Sequence, residues 1–143
     1  MIERYSLPEI SKIWSEDNKF SILLKIEIFA SEANNKLGIV PTSALRKIKY
    51  KAKFNVEKIN KIEAIVKHDV IAFLTNVGSY VGPDSRYIHY GMTSSDVLDT
   101  ALSCQMKEAG ELIMKKLLVL KSSLARKAKK YKFLPLVGRT HGV

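Results

Sequence analysis

One cysteine, four prolines and seven glycines in 143 residues leave few chain breakers and no possible internal disulfide. A disulfide-stapled secreted scaffold is thereby excluded. No run approaches the roughly 18 apolar residues of a membrane span, and Met1-Ile-Glu-Arg4 lacks the apolar centre of a signal peptide, so a cytoplasmic protein with no membrane partner is expected. The glycines form neither a dinucleotide nor a P-loop pattern, and no Gly-x-Ser-x-Gly elbow occurs. His-x-x-x-His and Cys-x-x-Cys spacings are also missing, so no cofactor and no metal are expected. Cys104 falls within an apolar helical pattern and is expected as a buried thiol.

Hydrophobic residues make up 46% of the chain, enough for a sizeable core, and 24 Lys+Arg against 14 Asp+Glu give a formal net charge of +10. The lysines spread over 47–61 and 115–132 without interleaved aromatics to stack on bases, which argues for solvated helix faces and against specific nucleic-acid recognition. A basic helical module that binds polyanions remains the alternative from another class. The same field would also concentrate a small polyanionic substrate.

The periodicity is helical almost throughout, and an all-α fold is expected. Ser6-Leu-Pro-Glu9 reads as a capping box opening a short helix to Trp14. A second helix runs from about Lys19 to Leu37, with Phe20, Leu23, Leu24 and then Ile26, Phe29, Ala30, Ala33 and Leu37 at helical intervals and Gly38 as its stop. Pro41-Thr-Ser opens a third, whose charged side carries Arg46, Lys47, Lys49, Lys51 and Lys53. Asn55 caps a fourth. Lys67-His68-Asp69 then forms a junction or interruption, with Asp69 able to cap a fifth helical segment beginning at Val70. Gly82-Pro-Asp-Ser85 is a turn, and Arg86–Tyr90 leads from it in extended form. From Ser95 the pattern Leu98, Leu102, Met106, Ala109, Ile113, Leu117, Leu120, Leu124 predicts a helix of about 35 residues, roughly 50 Å long. Such a helix needs neighbours along its length, from further chain or another subunit.

His89-Tyr-Gly-Met-Thr-Ser-Ser-Asp-Val-Leu-Asp99 is the most site-like stretch. Gly91 allows a turn, and the hydroxyls and carboxylate of Thr93–Asp96 sit where a helix has free N–H groups, a place able to hold an anion. The three histidines, His68, His89 and His141, each lie at an element boundary beside polar or glycine residues, which favours a shared site over three packing roles.

Four segments together carry a resemblance: Met1-Ile-Glu-Arg-Tyr-Ser6, Lys67-His-Asp-Val70, His89–Asp99 and Gly138-Arg-Thr-His-Gly142. In this order and spacing the chain resembles the N-terminal part of the adenylosuccinate lyase family, a branch of the fumarase/aspartase/argininosuccinate lyase superfamily. Gly-Arg-Thr-His and Thr-Ser-Ser alone would indicate only the superfamily. The resemblance implies two domains, the superfamily's N-terminal helical domain over 1–94 and the start of its central helical bundle over 95–143, and elimination of fumarate from adenylosuccinate and from succinylaminoimidazole carboxamide ribotide. That chemistry needs a base, donors for the charge on a carboxylate, and an acid for the leaving nitrogen. By position, His141 resembles the general acid and His68 the histidine that supports it. Thr140, Lys67 and Asp69 resemble substrate ligands, Thr93 and Ser94 the binders of the succinyl carboxylates, Arg4 and Tyr5 phosphate ligands, and His89 a further phosphate-side ligand. Lys67 departs from the arginine common in the family. The family's mobile Ser-Ser-x-Met-Pro-x-Lys-x-Asn loop, which carries the base, does not occur in these residues, so they are expected to be inactive alone. The resemblance further implies a homotetramer whose sites draw on three subunits. A sister lyase with another fumarate-generating substrate is the alternative within the enzyme class.

Overall fold

The computed structural model describes residues 3–138 and 141. Every regular element among them is helical: α1 (Pro8–Ile13), α2 (Glu16–Lys36), α3 (Thr42–Lys51), α4 (Val56–Val66), α5 (Asp69–Val81) and α6 (Ser94–Lys130), with 3-10 turns at Glu3–Tyr5 and Pro83–Tyr87. The chain divides into two compact units, Met1–Ala109 and Gly110–Val143.

Local chemistry sets most boundaries. Ser15 Oγ accepts from the Asn18 amide (3.2 Å), so α2 begins at Glu16, three residues before the apolar periodicity suggests. Asn55 Oδ1 accepts from the Lys58 amide (2.9 Å) and caps α4 as expected. Gly38, at φ +77°, takes the chain out of α2 through a conformation that a Cβ disfavours. Leu7 occupies the N-cap of α1 with no side-chain cap bond, and Pro8 at the first position presets the helical φ instead.

The core of the first unit is built from one face of each of α2 to α6. Phe20 and Leu23 of α2, Ile48 of α3, Ile59 of α4, Phe73 and Val77 of α5, and Val97 and Ala101 of α6 are all buried in one cluster. Phe73 is fully buried and stacked on Phe20, ring centroids 5.7 Å apart at 9°.

Two apolar stripes differ from the sequence reading. On α2 the buried line is Phe20, Leu23, Glu27 and Ser31, whereas Phe29 and Leu37 are exposed. On α6 the buried line is Val97, Ala101, Gln105 and Ala109, while Leu102 and Met106 face solvent. A spacing of four throughout defines a narrow face. Cys104 lies about 100° around from Gln105, and its thiol is therefore exposed instead of buried. Gln105 tolerates burial because its Nε2 donates to the Ile13 carbonyl (2.7 Å), which also accepts from Asn18 Nδ2 (2.9 Å). These bonds fix the α1–α2 corner to the first turns of α6.

In the second unit, α6 continues with Met114, Leu117, Leu118, Leu120 and Leu124 exposed, lining one apolar groove with Ala125 and Ala128. No helix is long and apolar enough to cross a membrane among the described residues.

Candidate functional site

Arg4 and Tyr5 occupy the short 3-10 turn ahead of α1, with the Arg4 guanidinium over the Tyr5 ring, 4.8 Å from its centroid. A cation resting on an aromatic face remains able to donate to an anion.

The His68 junction is a true break between two helices. Lys67 ends α4 in the left-handed region (φ +57°, ψ +33°), and His68 is the N-cap of α5, its Nδ1 accepting from the Ile71 amide (3.3 Å). The cap expected from Asp69 is therefore supplied by His68. Asp69 is the first helical residue, its Oδ1 accepting from the Val70 amide (2.7 Å) and lying 3.6 Å from His68 Nδ1. A neutral imidazole that accepts at Nδ1 keeps its proton at Nε2. His68 and Asp69 are substantially exposed and so accessible to a ligand. Lys67 borders a groove formed with Glu16, Asn60 and Glu63.

The segment from Arg86 to Tyr90, expected as extended chain, is a 3-10 turn passing into further turns. Pro83 presets φ at its start, and the Ile88 amide closes it on the Ser85 carbonyl (2.9 Å). His89 comes next at φ +65°, and Gly91 at φ +77°. The left-handed region costs a residue with a Cβ about 1–2 kcal/mol, so His89 must be held by something.

That holder is Glu27, on the core line of α2. Its Oε1 lies 2.7 Å from His89 Nδ1, its side chain is 1% exposed, and its buried Oε2 has no hydrogen-bond partner among the described residues. One and two turns further on, Ser31 donates to the Glu27 carbonyl (2.8 Å) and Asn34 Nδ2 donates to the Tyr90 carbonyl (3.2 Å). Positions 27, 31 and 34 share one helix face, which thus supports the His89 turn from below. Burial raises the Glu27 carboxyl above its usual range, and the bond and charge of His89 pull it part of the way back.

Sequence reasoning missed Glu27, Ser31 and Asn34. The signal was present: Phe20 and Leu23 lead by helical steps to a carboxylate and a hydroxyl on the core line, where neither belongs without a partner.

Between the ordinary value of 4.5 and the raised value in the fold, native Glu27 binds more proton than it does in the unfolded chain. Its contribution to stability is therefore full below 4.5 and is lost as pH rises through the folded value. Denaturant midpoints compared between the parent and Glu27→Gln should diverge in favour of Gln as pH rises through that window. Parallel curves would contradict the assignment.

Thr93 and Ser94 stand at the N-terminus of α6, immediately after this turn. The Thr93 amide donates to Asp96 Oδ2 (2.7 Å), and the Asp96 amide returns a bond to the Thr93 carbonyl (3.1 Å). One end of a helix dipole and two hydroxyls thus lie beside the supported histidine.

The structure joins His68 to Asp69, and His89 to Glu27, with Thr93 and Ser94 close after His89 in the chain. It shows no hydrogen bond or ion pair between the two groups among the described residues. His141 is exposed at φ +48° within the second unit. Thr140 lies outside the described residues. No cluster of three or more potential metal ligands occurs among the described residues.

The helical scaffold, with its polar junction at His68 and a supported turn feeding a helix N-terminus, matches a known class. The model of the family described as "Lyase" covers residues 3–143, and the chain belongs to that family. More particularly, it is 49% identical over all 143 residues to a protein named adenylosuccinate lyase from Synechocystis, and 46% identical over the same length to one from Staphylococcus saprophyticus. The chain spans about a third of the length of these curated relatives, 33% of each. Among solved structures, a 3-carboxy-cis,cis-muconate lactonizing enzyme from Pseudomonas putida superposes with a TM-score of 0.86 at 29% identity, over 95% of this chain and 33% of that one. A fumarate lyase from a Mesorhizobium species shares the fold, with a TM-score of 0.83 at 24% identity over 94% of this chain and 32% of its own.

Proposed function

We propose that this chain forms part of an enzyme that eliminates fumarate from adenylosuccinate, giving AMP, and performs the same elimination on succinylaminoimidazole carboxamide ribotide. The observation that carries this reading is 49% and 46% identity, across the whole chain, to two proteins named for that substrate.

Each residue role matches a need of the chemistry. His141 acts as general acid toward the departing nitrogen, a task suited to imidazole near neutral pH. His68 supports it and contacts substrate, with Asp69, Lys67 and Thr140 as substrate ligands. Thr93 and Ser94 hold the succinyl carboxylates at the α6 terminus, where developing negative charge is stabilised by free N–H groups and the dipole. Arg4, Tyr5 and His89 hold the phosphate. The proton is removed by a base supplied from elsewhere in the full-length protein.

We assign a homotetramer whose sites are completed by other copies of the chain, as the resemblance to the adenylosuccinate lyase family implies. The exposed apolar side of α6 from Met114 to Leu124 is a surface suited to such packing, since an apolar helix face of this length gains most by burial. A cytoplasmic location accords with nucleotide substrates.

Full-length protein supplied separately with adenylosuccinate, argininosuccinate and malate tests the substrate. Fumarate should form from adenylosuccinate at a kcat/KM at least about a hundredfold above the others. Adenylosuccinate left intact at saturating concentration would overturn the proposal.

A further inference from the structure

The contact between Glu27 and His89 has no part in the bond-breaking steps of the elimination. It joins a buried carboxylate on α2 to an imidazole on the strained turn that enters α6. Its geometry is specific: Oε1 meets Nδ1 at 2.7 Å, and Oε2 is buried with no partner among the described residues. His89 is partly exposed, 19% against 1% for Glu27, and its Nε2 has no hydrogen-bond partner among the described residues. One ring nitrogen is thus committed to the protein interior and the other is open. The same face of α2 holds the adjoining Tyr90 carbonyl through Asn34.

We infer that Glu27 is a positioning residue for substrate: it fixes the His89 ring through Nδ1 and leaves Nε2 to meet an anionic group of the ligand. This rests on the nucleotide-binding reading of the site. A carboxylate at Nδ1 requires that nitrogen to carry a proton, which sets the tautomer of the neutral ring. An anion arriving at Nε2 favours the doubly protonated ring, and the resulting imidazolium compensates the buried carboxylate behind it. Carboxylate, ring and ligand anion therefore reinforce one another through a single side chain. A carboxylate serving only to hold the turn would have no reason to carry charge into the core, since an apolar side chain of the same length would be tolerated there more readily.

The test compares Glu27→Met and Glu27→Gln with the parent in the full-length protein, measuring AMP binding by calorimetry and adenylosuccinate turnover by fumarate release. Methionine matches the length of glutamate, suits a buried site and cannot bond Nδ1; glutamine retains an acceptor for Nδ1–H. For Glu27→Met the expected result is a protein that still melts cooperatively, with AMP affinity lowered and KM raised about tenfold or more, and kcat within about threefold. Glu27→Gln keeps an acceptor for Nδ1–H but loses the charge, so its affinity and KM should fall between those of the parent and of Glu27→Met. Parent-like binding in Glu27→Met, or equal impairment in both variants, would overturn the positioning role alone. A parent that binds AMP yet releases no fumarate would overturn the lyase reading while leaving the affinity comparison intact. A parent that binds neither AMP nor adenylosuccinate would overturn both.

Discussion

Replacing His141 with alanine in the full-length protein is expected to lower kcat for fumarate release about a hundred- to ten-thousandfold, the usual contribution of a positioned proton donor. Cleavage of a carbon–nitrogen bond leaves electron density on nitrogen, and without an acid nearby that nitrogen departs poorly. His141 is exposed and held at φ +48°, and its neighbours Arg139, Thr140 and Gly142 complete a short polar motif. The KM for adenylosuccinate should change far less than kcat, because an acid acts mainly in the transition state. A His141→Ala protein with kcat within about twofold of the parent would remove His141 from the acid role.

Phe73→Ala is expected to destabilise the fold by about 3–5 kcal/mol, a large part of the roughly 5–15 kcal/mol that stabilises a typical domain. Phe73 is fully buried at the centre of the first unit, stacked on Phe20, so truncation removes an aromatic contact and leaves a cavity that the surrounding helices cannot readily close. Phe29→Ala on the exposed side of α2 is the control, expected to cost under about 1 kcal/mol. Urea denaturation at fixed protein concentration measures both. Similar midpoints for the two variants would contradict the assignment of the core.

The difference between those phenylalanines shows where the sequence was legible. Asn55 and Gly38 mark their helix ends unaided, because capping and left-handed chain reversal are local chemistry. The helical class is legible from periodicity alone. Which face of a helix is buried is a tertiary question, and the apolar residues of α2 and α6 populate two faces each. Phe29 and Leu102 look like core, yet the narrower lines through Leu23 and Ala101 are buried. Exposed apolar faces are what a helix shows when it has further surfaces to cover.

The candidate site divides in the same way. His68, His89, Thr93 and Ser94 were marked by polar residues at element boundaries, and the structure gives each a defined backbone setting. Glu27 was not marked, because its partner lies 62 residues further along the chain and only folding brings the two together. His68 capping α5 in place of Asp69 is subtler: imidazole Nδ1 can accept as a cap does, but Asp is the commoner choice from sequence alone. The turn at Arg86–Tyr90 depends on Pro83 and the Ser85 carbonyl and carries no alternating pattern that would separate it from extended chain.

The most direct test of the central claim is product analysis of the full-length protein with adenylosuccinate, and then of the reverse reaction. AMP and fumarate should appear in equal amounts, and AMP mixed with excess fumarate should regenerate adenylosuccinate. AMP without fumarate, or no product in either direction, would contradict it.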